Sequence, residues 1–193
     1  MGIAMESWPR RHRITVDEYH RMAEVGVLAP DARVELIEGE IIDMAPIGID
    51  HNSVVDQLNR LLVHAVGDDA IVRVQGSVRL SRISEPQPDV VLLEPRADFY
   101  RNEFAMGADT LLVIEVSDST LRYDRDVKVP LFAKSGVPEV WIFDLENDSL
   151  LVYRSLSDGG YARRDALVRP PSMPVPSLRD VAVDLSSVFP SKR

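Results

Sequence analysis

Two stretches decide how this chain folds: Pro88-Asp89-Val90-Val91-Leu92-Leu93 and, further on, Leu111-Leu112-Val113-Ile114-Glu115-Val116-Ser117. Each is a continuous Val/Ile/Leu run of strand length and reads as a strand buried on both faces. Each also carries one carboxylate at an end, where a buried strand has no use for a charge. If the two pair as antiparallel neighbours, the start of the first lies beside the end of the second, and Asp89 meets Glu115. Two ionised carboxylates that close repel each other, so the pair wants a metal ion or a cationic neighbour. Lys128 follows on the next predicted helix and can supply that cation.

Working outward, Thr15-Val16-Asp17-Glu18 has the capping-box pattern, and Val16, Tyr19, Met22 and Ala23 recur at helical spacing, predicting a first helix over about 15–25. Residues 33–37 and 40–44 read as a hairpin around Glu38-Gly39. Asp50 is the expected cap of a second helix whose stripe is Val54, Leu58, Leu61, Leu62 and Ala65, stopped by Gly67. Residues 71–80 alternate, with Val72, Val74, Val78 and Leu80 on one face, and predict one strand. Residues 95–110 are too long for a tight turn and read as a flap or short helix. A helix is expected over 127–135, with Pro130 in its first turn and Lys128 at or near its start.

Residues 139–144 and 149–154 predict another strand pair, Tyr161 onward an edge strand, and 181–185 a last short strand. Pro170 to Pro176 is expected to be extended and to lie on the surface. Strands outnumber helices and hairpins are frequent, so the class is α+β, a mixed, mostly antiparallel sheet flanked by helices.

At 193 residues and 45% apolar content, the chain fits one domain over 1–193. Residues 1–13 are expected to form an N-terminal arm and 170–193 an extended C-terminal segment packing on the same domain. No cysteine occurs, which excludes disulfides, thiolate zinc sites and cysteine nucleophiles. No apolar run approaches a membrane-spanning length, and the start of the chain lacks the apolar core of a signal peptide, so no membrane contact and a cytoplasmic location are expected. The net charge of −9 works against polyanion binding at long range. The strip Arg10-Arg11-His12-Arg13 reads as a solvated arm in preference to a phosphate contact.

Phosphodiester hydrolysis needs a nucleophilic water and a means of absorbing charge on the phosphate. A hard cation such as Mg²⁺ serves both needs while held by one or two carboxylates. Asp89 and Glu115 supply that ligand set, and the Val116 carbonyl is placed to be a third ligand. In register, Glu115 shares a face with Val113 and Leu111. Lys128 can orient the attacking water and offset developing negative charge.

Taken together, Glu35-Leu36-Ile37-Glu38-Gly39-Glu40, Met44, His51, Pro88-Asp89-Val90-Val91, Glu115-Val116-Ser117, Asp124-Arg125-Asp126-Val127-Lys128 and Gly136-Val137-Pro138-Glu139-Val140-Trp141-Ile142-Phe143-Asp144 resemble the Uma2-type (DUF820) branch of the PD-(D/E)XK nuclease superfamily. The resemblance runs from the first helix to the C-terminal strand. It implies a restriction-endonuclease-like fold and a metal-dependent endonuclease acting on DNA with Mg²⁺ or Mn²⁺, without an organic cofactor. It further implies that Glu35 takes part and that His51 lies near the site. In the superfamily's general form the lysine stands two positions after the acidic residue, where this chain has Ser117. Lys128 fits an arrangement in which that lysine has moved to the following helix.

Each residue also has a plainer reading. Asp89 alone fits a turn after Pro88, Lys128 alone a solvated lysine, and His51 a surface residue of the second helix. Glu35 fits a strand residue paired with Arg33, Gln75 an exposed side chain, and Trp141 core or a dimer interface. Asp124 and Asp126 read as acidic residues at the positive end of the Lys128 helix. It is the conjunction that favours catalysis. The alternative is a catalytically weak or inactive nuclease-fold protein that serves as a binding or assembly module. A homodimer is expected, because sheet edges invite covering and a small nuclease cutting both strands benefits from two sites.

Overall fold

In a computed structural model that describes residues 11–189, the first helix α1 (Val16–Glu24) opens on the capping box as expected. Thr15 accepts from the Glu18 N–H and the Glu18 carboxylate accepts from the Thr15 N–H. Residues 1–10, most of the expected N-terminal arm, and 190–193 lie outside the described residues. β1 (Val34–Ile37) and β2 (Glu40–Asp43) form the hairpin around Glu38 and Gly39, both at positive φ, as a two-residue turn of this kind requires.

The N-cap of helix α2 (Ile49–Val66) is Gly48 instead of Asp50, which lies inside the first turn. Its buried stripe is Val54, Val55, Leu58, Leu62 and Val66. Of the strand predicted over 71–80 only β3 (Ile71–Val74) forms. Gln75 takes φ 47 and turns the chain, so Val78 and Leu80 are buried from a loop while Val74 is exposed. β4 (Val90–Leu93) and β5 (Thr110–Ser117) are the two diagnostic strands, wholly buried. The segment between them holds one short 3₁₀ turn, Gly107–Asp109.

The Lys128 helix differs most from expectation. It begins earlier, as α3 (Leu121–Tyr123), runs through a π-helical turn (Asp124–Lys128) and continues as α4 (Val129–Lys134). Lys128 therefore closes the π-turn in the middle of a continuous helix. Pro130 is tolerated well inside it because the wider i→i+5 bonding has already displaced the ordinary ladder: the Val129 N–H donates to the Asp124 carbonyl. β6 (Glu139–Asp144), β7 (Ser149–Ser157) and β8 (Gly160–Val168) follow. β9 (Ser172–Pro174) and β10 (Ala182–Asp184) pair with each other.

The main sheet has the order β3-β4-β5-β6-β7-β8, parallel only between β5 and β6. One face packs on α2 and the C-terminal segment through Val90, Leu92, Ile114, Trp141 and Phe143. Trp141 is thus core, and Met173 and Val175 are buried there too, contrary to the surface path expected for 170–176. The other face packs on α4 through Val91, Val113, Val140 and Ile142. Leu111 joins the α2 face, not that of Val113, because the pairing of β4 with β5 shifts register at Leu92/Leu93. No helix among the described residues is long and apolar enough to cross a membrane.

Candidate active site

The antiparallel register pairs Val90 with Ile114, so the residue before the first stands opposite the residue after the second. Asp89 and Glu115 are thereby brought together at the end of the two strands, as the sequence predicts. Asp89 Oδ2 accepts from the Val116 N–H at 2.8 Å. A strand residue points its N–H and C=O to the same side, so the Val116 carbonyl faces the same gap beyond the start of β4. Asp89 Oδ1 lies 3.1 Å from His51 Nε2, which α2 delivers from its first turn. The other ring nitrogen, His51 Nδ1, is buried with no hydrogen-bond partner among the described residues.

Glu35 reaches the site because its hairpin docks on the segment leading to Asp89: Leu36 and Glu85 exchange backbone hydrogen bonds. Glu35 Oε2 accepts from the Gln87 N–H at 3.1 Å and lies 3.4 Å from Lys128 Nζ. Its partner is therefore Lys128 and not Arg33, whose Nη1 donates to the Ala45 carbonyl. Lys128 Nζ stands 2.7 Å from Glu115 Oε1 in an ion pair. Both side chains are only 5% exposed.

Burial pushes the Glu115 carboxyl well above the usual range, with Lys128 pulling it down and Asp124 and Asp89 pushing it further up. Burial also opposes the charged form of Lys128, but Glu115, Glu35 and Asp124 outweigh it and hold the ammonium above the ordinary lysine range. The Tyr123 hydroxyl is buried in the same site, with its pKa raised by burial and then by Glu35.

These groups line one cleft of about 300 Å³. Asp124 and Gln87 are among the lining residues that escaped the sequence reading. Asp124 is buried, accepting from Ser117 Oγ at 2.7 Å and Thr120 Oγ1 at 2.6 Å, and does not serve as a solvated partner of a helix end. Gln87, not Gln75, lines the cleft. The signal for Asp124 was its place four residues before Lys128 on one helix.

Four buried carboxylates, Glu35, Asp89, Glu115 and Asp124, thus share one cleft with a buried ammonium. Among the described residues, no three His, Asp or Glu side chains form a ready-made metal cage. Mg²⁺ does not require one, since it keeps several waters and takes one or two carboxylates. The hard oxygen donors and the local excess of negative charge fit such an ion.

The family model of Uma2, described as "putative restriction endonuclease", matches residues 16–186. A crystal structure described as "a putative nuclease belonging to DUF820", from Anabaena variabilis, is similar with a TM-score of 0.71 at 18% identity, over 91% of this chain and 97% of that one. At that identity the likeness is one of fold. No curated protein matches the chain. The family model spans residues 16–186 of the 193, and the chain belongs to the Uma2 family.

Proposed function

We propose that this protein is a Mg²⁺- or Mn²⁺-dependent endonuclease that hydrolyses DNA phosphodiester bonds in the cleft of Asp89, Glu115 and Lys128, and that it works as a homodimer. The observation that carries this reading is the convergence of an Asp and a Glu from paired strands with a buried, protonated lysine from the following helix. Asp89, Glu115 and the Val116 carbonyl would hold the metal. When bound, the ion supplies Lewis-acid charge to the phosphate. Lys128, with three donors on a compact cation, orients a water and offsets negative charge on the phosphate. Glu35 and Glu115 keep that lysine charged, and His51 fixes the orientation of Asp89.

The test is incubation of supercoiled plasmid with the protein and Mg²⁺ or Mn²⁺. Nicked or linear product is expected from the wild type and none from Glu115→Ala. Equal cleavage by that variant would refute the assignment. An intact plasmid at high enzyme concentration, with no heat of Mn²⁺ binding by calorimetry, would instead support a binding or assembly module. A single monomeric species on gel filtration would overturn the dimer.

A further inference from the structure

Two strand positions past Glu115, Ser117 occupies the place at which the general nuclease pattern has its lysine, and its hydroxyl is not idle. It donates to Asp124 Oδ2 at 2.7 Å, and Thr120 Oγ1 donates to the same oxygen at 2.6 Å. Asp124 is also the first residue of the π-turn that Lys128 ends, and its carbonyl takes the i→i+5 bond from Val129. One buried side chain therefore ties the end of β5, which carries Glu115, to the turn that carries Lys128.

We infer that Asp124 is a positioning residue that, anchored by Ser117 and Thr120, sets the Lys128 ammonium against Glu115. This rests on the nuclease reading only for its kinetic consequences. The anchoring is through hydrogen bonds accepted by one oxygen, so the carbonyl oxygen of an asparagine, with two lone pairs, can accept both. The charge of Asp124 is secondary. Removing the acceptor frees the turn to relax, and displacing a catalytic group by about 1 Å costs on the order of a hundredfold in rate.

Two readouts test this. In plasmid cleavage, Asp124→Ala should lower kcat about a hundredfold with KM little changed. Asp124→Asn should retain kcat within about threefold of wild type, the hydrogen-bond anchor being kept. In a Lys128→Ala background, Asp124→Ala should add no further loss, because its effect passes through the lysine.

The second readout needs neither metal nor DNA: the ratio of acetylation at Lys128 to that at Lys134, by acetic anhydride and mass spectrometry. Lys134, 61% exposed, is the internal reference. The ratio should be low in wild type and Asp124→Asn and should rise at least about tenfold in Asp124→Ala as Lys128 leaves its buried pair. If Asp124→Ala does not fold, Ser117→Ala, which removes one of the two bonds, should raise the ratio in the same direction. An unchanged ratio in the folded variants, or equal loss in Asp124→Asn and Asp124→Ala, would overturn the inference. A wild type that cuts no DNA would sink the nuclease reading and leave the acetylation result standing.

Discussion

Replacing Lys128 by Met removes the one lysine in the cleft while nearly keeping its shape. The ammonium it deletes lies 2.7 Å from Glu115 and 3.4 Å from Glu35, both almost fully buried. Removing one partner of a buried ion pair leaves an uncompensated charge and costs about 3–5 kcal/mol. For a chain of this size that corresponds to a fall in Tm of roughly 6–20 °C at neutral pH.

The cost must also depend on pH in one direction. Glu115 is already held above its ordinary pKa by burial, and Lys128 is the group that lowers it, so the variant's folded state keeps a proton on Glu115 to higher pH than the wild type. A raised carboxyl pKa makes the folded state bind more protons than the unfolded one, so stability falls as pH rises from the unfolded value of 4.5 through the folded one. The stability gap between wild type and Lys128→Met should therefore widen as pH rises through the interval between the wild-type and the variant Glu115 pKa, by at most about 1.4 kcal/mol per pH unit. Urea unfolding at several pH values measures it. A gap that narrows as pH rises would refute the ion-pair account of the site.

Three further outcomes are expected. Asp89→Asn should weaken Mn²⁺ binding at least about tenfold by isothermal titration calorimetry, since it removes a proposed ligand charge; unchanged binding would place the metal elsewhere. Thr15→Ala should destabilise by about 1 kcal/mol in thermal melts through loss of the α1 cap, with plasmid cleavage unaltered. Gly107→Ala should destabilise by roughly 1–3 kcal/mol, because an added Cβ would meet the Ser135 carbonyl oxygen at 2.4 Å, a backbone atom that cannot step aside. A melting temperature equal to wild type would show that the 3₁₀ turn yields more easily than its contacts suggest.

Legibility followed the range of the forces involved. The meeting of Asp89 and Glu115 could be read because two fully apolar strands each ended in an unexplained carboxylate, and antiparallel pairing leaves little freedom in where those ends fall. The capping box and the Glu38-Gly39 hairpin could be read because their chemistry is local. Glu35 came only from family resemblance. Its approach depends on the bridge between Leu36 and Glu85, a contact across 49 positions that no periodicity announces. The break at Gln75 was hidden, since nothing marks a glutamine for positive φ. Asp124 was misread because Pro130 suggested a helix start close by, and that assumption left Asp124 outside the helix as a solvated end charge. The π-turn reverses both inferences at once.

That turn makes the cleft sensitive to residue count as well as residue type. A π-turn spends one residue more than an α-turn over the same rise, and each residue advances the helix by about 100°. Deleting a single position within Asp124–Lys128 would let the segment close as an ordinary α-helix and gain regular backbone bonding. Because the wide turn absorbs that extra residue, the deletion would leave α3 and α4 in nearly their present phase, and its effect would fall on the side chains inside the turn. The π-turn thus fits one additional residue between α3 and α4 while α4 keeps its apolar face on the sheet and Lys128 its place beside Glu115.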